Sequence, residues 1–215
     1  MNCTVCGKET REGTNLCESC AGQARRLHNA PGQAASPKDL AVCSVMLALA
    51  TILSFIVVYR MPQGGSISLF GMVPLLYIAY RYPPRWALLT ALAYGLLHML
   101  FSFYPPPARN IFAFAGVVLL DYLIAYGVLG LAGLFSRPFA GITGVFFGGS
   151  VAIALRLLCH FVSGVVIWSS YAPAGQPVAL YSLLYNGSFM LGEWLLSMVG
   201  IAAMVRVLPK EKAIP

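Results

Sequence analysis

The chain has 215 residues, of which 59% are hydrophobic and 10% are Asp, Glu, Lys or Arg; a soluble domain typically carries about 25% charged residues. With a mean hydropathy of +0.76 it cannot cover a water-facing surface, so a soluble globule is excluded and a membrane protein is expected. The formal charge of +7 is not a nucleic-acid footprint, because no basic stripe with interleaved aromatics occurs.

The 21 charged side chains are unevenly placed: nine lie in the first 39 residues, four in the last ten, and eight across residues 40–205. No apolar core of a signal peptide follows Met1. Residues 1–22 instead read Cys3-x2-Cys6-x10-Cys17-x2-Cys20. Two Cys-x-x-Cys knuckles can converge four thiolates on one tetrahedral zinc ion, and Gly7 suits a tight turn after the first knuckle. A small structural zinc ribbon is expected here, with two disulfides as the competing reading. So short a segment builds no core, so the metal would supply the folding energy, and a zinc-thiolate site implies a reducing, cytosolic compartment. Residues 23–37, rich in Ala, Gly, Pro and Gln, read as a flexible linker that includes His28. Cys43 and Cys159 stand singly in apolar stretches and read as buried thiols.

The region 38–208 reads as an all-α membrane domain of six transmembrane helices, followed by a tail at 209–215. A span needs about 20 apolar residues. The expected spans are 40–59, 66–80, 86–104, 111–135, 139–168 and 178–206. The second is short, so it is expected to tilt or to be partly re-entrant after Gly64-Gly65; the fifth is expected to leave the membrane before Trp168. Counting Lys and Arg orients the bundle. With both termini cytosolic, eleven basic residues lie inside, Arg60 and Arg109 outside, and Arg156 within a span.

Ionisable residues within spans are costly and are functional candidates by default. They are His98, Asp121, Arg156, His160 and Glu193. Arg156 and His160 are spaced i, i+4 and share one helix face; Asn186, Met190 and Glu193 form a stripe on the last span. Tyr122, Tyr181 and Tyr185 add hydroxyls, and Trp168 adds a large π face at the outer end of span five. This inventory reads as a pocket on the external side. The competing reading is a structural Asp121–Arg156 ion pair. Helix-to-helix hydrogen bonding is expected for Glu193 and His98. Gly144-x3-Gly148 and the glycines at 127, 130 and 133 read as close helix packing, and Ser44-x3-Ala48 makes a smooth strip on span one. No phosphate loop, His-Glu-x-x-His site or nucleophile turn occurs. The chain therefore reads as no enzyme, with no nucleotide bound by it and any transport energy supplied by partners.

Four blocks then carry a resemblance: Met61–Leu69 (MPQGGSISL), Leu120–Tyr126 (LDYLIAY), His160–Trp168 (HFVSGVVIW) and Tyr181–Ser188 (YSLLYNGS). In this order and spacing they resemble the thiamine-specific S component of energy-coupling-factor (ECF) transporters. The resemblance covers about residues 40–207 and does not extend to the cysteine-rich segment. It implies a six-helix protein in a prokaryotic plasma membrane that binds thiamine near the outer face. The implied partners are a transmembrane coupling subunit and two ABC-type ATPases. The implied binding residues are Asp121, Tyr122, Arg156, His160, Trp168, Tyr181 and Asn186, and the implied docking strip is Ser44 and Ala48. Some members carry a further stacking Trp before the second span; here that region reads Gly64-Gly65-Ser66, which leaves one wall of the pocket unassigned.

Thiamine has a fixed thiazolium charge, an aminopyrimidine and a hydroxyethyl arm. A carboxylate in low dielectric can balance the cation, and an indole face can stack on a flat ring, worth about 0.5–2 kcal/mol near a cation. His160, Tyr181 and Asn186 offer donors and acceptors, and Arg156 either orients Asp121 or bonds a pyrimidine acceptor. The same scaffold could take a thiamine precursor or another vitamin. A membrane-anchored zinc-ribbon sensor is the reading from a different class.

Overall fold

The computed structural model describes residues 37–108, 110–139 and 141–207. The chain divides into two units, Met1–Lys38 and Asp39–Pro215. All but the last two residues of the first unit lie outside the described residues, and so does the expected zinc site of Cys3, Cys6, Cys17 and Cys20. The C-terminal tail lies outside them as well.

Among the described residues six main helices follow in chain order. They are α1 (Pro37–Ser54), α2 (Val73–Arg81), α3 (Pro84–Ser102), α4 (Ile111–Phe135), α5 (Gly141–Val166) and α6 (Val178–Val207). Four of them, α1, α4, α5 and α6, are long and apolar enough to cross a membrane. At 19 residues α3 spans about 28 Å, close to the hydrocarbon thickness of about 30 Å. Pro37 is the first residue of α1 rather than the last of the linker.

The first two expected spans need correction. Helix α1 stops at Ser54, and the chain turns into a β-hairpin of β1 (Val57–Arg60) and β2 (Ser66–Ser68). Val57 faces Ser68, Tyr59 faces Ile67 and Arg60 faces Ser66, with a bulge between Val57 and Tyr59. The run Phe55-Ile56-Val57-Val58-Tyr59 is β-branched and aromatic, and such residues suit a pleated ribbon as well as a helix. Hydropathy alone does not separate the two states. The expected span 66–80 likewise begins as strand over Ser66–Ser68, and its helix, α2, starts only at Val73 and has nine residues.

Local chemistry sets the other boundaries. Tyr82 is extended because Pro83 follows it, and Pro83-Pro84 opens α3. Asn110 caps α4, its side chain accepting from Ala113 N at 2.8 Å. Within α4 the turn Val118–Ile124 is π-helical and Val128–Leu131 tightens to a 3-10 turn.

Burial runs inside out. Phe112, Leu100, Ile111 and Val166 are exposed, whereas Arg156, Ser163, Ser182, Asn186, Glu193 and Ser197 are buried. A bundle whose surroundings are lipid distributes its side chains in this way. The expected close packing is found: a Cβ at Gly144 or Gly148 would collide with carbonyl oxygens of Phe139 and Ala132, and one at Gly130 would lie 2.7 Å from Ala87 O. The stripe on α6 also faces inward, with Asn186, Met190 and Glu193 all buried. Cys43 is a buried free thiol as expected, and Cys159 is half-buried.

Candidate functional site

All seven expected binding residues, Asp121, Tyr122, Arg156, His160, Trp168, Tyr181 and Asn186, line one cavity enclosed by α3–α6, the β-hairpin and the loop after α5. Ser44 and Ala48 do not; both are on the exposed side of α1.

Asp121 sits in the π turn of α4, and three donors from the end of α5 converge on it. His160 Nδ1 is 3.0 Å from Oδ1, Ser163 Oγ donates to Oδ2 at 2.6 Å, and the Trp168 indole N–H donates to Oδ2 at 3.1 Å. None of these partners is a Lys or Arg. With Nδ1 carrying the proton of a neutral imidazole, Nε2 is left as an acceptor. The competing Asp121–Arg156 ion pair is therefore not formed, and Arg156 does not orient the acid. Its guanidinium lies 4.1 Å over the Tyr126 ring, and Nη1 is 2.7 Å from Met72 Sδ. A flat, weakly hydrated cation suits such a π face.

Two buried polar atoms on that same α5 face have no hydrogen-bond partner, Arg156 Nε and His160 Nε2. Arg156 is 7% exposed. A buried donor or acceptor left unpaired costs about 1–3 kcal/mol, so both atoms call for a partner that enters the cavity.

Other groups serve the frame. Tyr122 donates its hydroxyl to Ser102 O at 3.0 Å and accepts from Tyr104 N at 3.1 Å, which ties α4 to the end of α3. Asn186 Nδ2 donates to His160 O, Ser182 O and Ser182 Oγ, bridging α6 to α5. Gly164 permits that crossing, since a Cβ there would collide with Ser182 Oγ. Tyr181 lies beside Tyr185, with ring centroids 5.9 Å apart.

Glu193 and His98 depart from the helix-to-helix expectation. Glu193 Oε1 accepts from both Ser68 N at 2.5 Å and Ser68 Oγ at 2.8 Å, so α6 holds a strand rather than a helix. The contacts of His98 are rings: Tyr94 at 5.7 Å, Tyr126 at 5.1 Å and Tyr122 at 6.1 Å. The hairpin has a second tie to α6, because Tyr185 Oη accepts from Gln63 N at 3.1 Å and Gly65 N at 3.3 Å.

Sequence reasoning missed Ser163, Ser68 and Tyr104. Ser163 was within reach, lying three residues after His160 and so on the same helix face. Ser68 and Tyr104 belong to segments that periodicity does not describe.

Comparison with known proteins places the chain in a family. The family model of the thiamine transporter protein matches residues 40–213. The thiamine transporter ThiT of Bacillus subtilis (strain 168) is 30% identical over 183 residues, which cover 78% of this chain and 90% of that protein. The thiamine transporter ThiT of Lacticaseibacillus paracasei is 30% identical over 160 residues, covering 66% and 74% respectively. Among solved structures, ThiT from Listeria monocytogenes superposes with a TM-score of 0.63 at 27% identity, covering 80% of this chain and 95% of that one. The S component of a bacterial ECF transporter superposes with a TM-score of 0.54, covering 79% and 95%; at 19% identity it speaks for the fold alone. Because the family match begins in the first turns of α1 and runs past the end of α6, it takes in the hairpin and every helix that frames the cavity, and on that extent the chain belongs to the thiamine transporter protein family.

Proposed function

We propose that this protein is the high-affinity, thiamine-capturing S component of an ECF-type vitamin importer. The family is one of transport proteins, not enzymes, and its bacterial members and the membrane-length helices fit a prokaryotic plasma membrane. One observation carries the reading for this chain: Asp121 is held by three donors without a Lys or Arg partner, in a cavity where Arg156 Nε and His160 Nε2 are unpaired. A ligand that brings a permanent cation, a ring acceptor and an amine donor satisfies all three. The thiazolium balances Asp121, a pyrimidine nitrogen accepts from Arg156, and the amine donates to His160. The test is titration of thiamine into the purified full-length protein. Binding below micromolar concentration is expected, with the isolated pyrimidine and thiazole halves competing far more weakly. Failure to bind thiamine in that range would reject the substrate.

The partners follow from the same reading, whereas the zinc site rests on the cysteine spacing alone. A transmembrane coupling subunit and two ABC-type ATPases supply the energy, docking on the exposed α1 strip of Ser44 and Ala48. Both termini are cytosolic, as the Lys and Arg count indicates. Residues 1–22 hold one structural zinc ion through Cys3, Cys6, Cys17 and Cys20. Metal analysis of protein purified without chelator is expected to give one zinc per chain, lost on Cys17→Ser.

A further inference from the structure

Tyr104 lies two residues beyond the end of α3, on the loop that leads to α4. Three contacts fix its place. Its backbone N–H donates to the Tyr122 hydroxyl at 3.1 Å. Its ring is 5.6 Å from the Trp168 ring, tilted by 40°. On another side the ring meets the hairpin turn, where a Cβ on Gly64 would be 2.9 Å from Tyr104 Cγ. Gly64 has φ +91, so a side chain there would be strained as well as blocked. Its neighbour Gly65 is similarly filled from α6, since a Cβ there would be 2.9 Å from the Phe189 ring. The hairpin tip therefore brings no side chain of its own to the cavity at these two positions; rings from other elements occupy the space.

These contacts make a circuit. Asp121 accepts from the indole of Trp168, Trp168 faces Tyr104, and Tyr104 is gripped by Tyr122, the residue next to Asp121. The acid and the Trp168–Tyr104 wedge are thus one mechanical unit, and all four residues line the same cavity.

We propose that Tyr104 is the second aromatic face of the ligand site, forming with Trp168 the slot that receives a flat ring of the vitamin. This rests on the thiamine reading above. A flat ring between two others needs about 3.5–4 Å on each side, so the wedge must open by about 2 Å from its present 5.6 Å. Trp168 is pinned through Nε1 by both Asp121 and Ser163, whereas Tyr104 sits on a loop, held by one backbone hydrogen bond to Tyr122 and by a side-chain hydrogen bond to Tyr171 of the short turn after α5. Tyr104 is the face that gives way. An electron-rich phenol over a thiazolium also adds cation–π attraction, which an aliphatic wall of the same bulk would lack.

The test is calorimetric titration of thiamine into full-length wild type, Tyr104→Ala, Tyr104→Leu and Tyr104→Phe, with the ligand-free melting temperature of each. Tyr104→Ala and Tyr104→Leu are expected to weaken binding at least tenfold, and Tyr104→Phe to regain most of the affinity. Leu fills the space without a π face, so its melting temperature should match wild type, and it decides the matter where Ala unfolds. Wild-type affinity in Tyr104→Leu would overturn the proposal while leaving the function standing. A loss on Tyr171→Ala larger than that on Tyr104→Leu would also overturn it, because Tyr171 stacks on Trp168 at 5.9 Å and is the rival face. A wild-type protein that does not bind thiamine would reject the proposal and the substrate together.

Discussion

The indole N–H of Trp168 is 3.1 Å from Asp121 Oδ2 and 3.1 Å from Ser163 Oγ, so one edge of the ring holds the acid while Tyr104 and Tyr171 lie against the rest of it. Trp168 lies just past the end of α5, where the helix gives way to a short turn over Ser169–Tyr171. The contact fixes that turn against the middle of α4. An aromatic placed in this way is pre-set for stacking, and little ring entropy remains to be lost on binding.

Replacement of Trp168 should separate its two roles. Trp168→Ala removes both the face and the N–H and should weaken thiamine binding at least tenfold, or about 1.4 kcal/mol. Trp168→Phe keeps a smaller face but leaves Asp121 one donor short, so its loss should be intermediate. Calorimetry is the suitable measurement, since fluorescence would then rest on Trp86 and Trp194. Equal losses for the two variants would mean that the hydrogen bond, not the face, carries the effect.

Asp121→Asn tests charge at nearly constant shape. An amide accepts on one atom only, and its NH2 would oppose either His160 Nδ1 or the Ser163 and Trp168 donors that now meet the carboxylate. Both the cation balance and the local hydrogen bonding suffer. A loss of at least thirtyfold, or about 2 kcal/mol, is expected. Competition with a neutral thiamine analogue should discriminate less in the variant than in wild type, because the variant no longer distinguishes the charge.

Much of this site was legible in the linear sequence, and the reason is the cost of polar groups in lipid. Asp121, Arg156, His160 and Glu193 stood out against apolar spans, and spacing put Arg156 and His160 on one face. Partners were less legible. A span assigned by hydropathy says which residues are inside but not the rotation of neighbouring helices, so the sequence left an Asp121–Arg156 pair open as the competing reading, and the fold does not realise it. The π turn at Val118–Ile124 is one cause, since a widened turn changes the direction of every side chain in it. The hairpin was hidden for another reason: Val57–Arg60 is apolar enough to extend α1, and only its pairing with Ser66–Ser68 reveals it as a strand.

Glu193 lines the cavity and also anchors the hairpin, which gives a test of stability. Both bonds from Ser68 fall on a single oxygen, Oε1. Glu193→Gln keeps a carbonyl that can accept both and should leave the melting temperature within a degree or two. Glu193→Ala strands a buried N–H and a buried hydroxyl, each at about 1–3 kcal/mol, and should lower it by several degrees. It should also speed thiamine dissociation, because the hairpin contributes Gln63, Gly64, Gly65 and Ser66 to the cavity wall.

Ser44→Trp probes the outer surface of α1. Ser44 and Ala48 are exposed and do not line the cavity. A bulky ring there should leave thiamine affinity unchanged in the isolated protein while reducing uptake in cells that hold the partner subunits. Uptake at the wild-type level would place the docking face elsewhere.

The glycines supply a contrast that isolates helix packing from helix propensity. Gly148 of α5 lies so close to α4 that a Cβ would collide with Ala132 O and stand 2.8 Å from Ser136 N, both of them backbone atoms that cannot swing aside. Gly187 of α6 has nothing within 4 Å of the same construction. Gly148→Val should therefore force α4 and α5 apart, at a cost of about 1–3 kcal/mol or more. Gly187→Ala should be neutral or slightly stabilising, since glycine is the weaker helix former by about 1 kcal/mol. Melting of the detergent-solubilised variants, followed by size-exclusion chromatography after heating, would measure both. Equal behaviour of the two would mean that the α4–α5 contact is not as close as the backbone atoms place it, and the position of Asp121 relative to His160, which depends on that contact, would have to be redrawn with it.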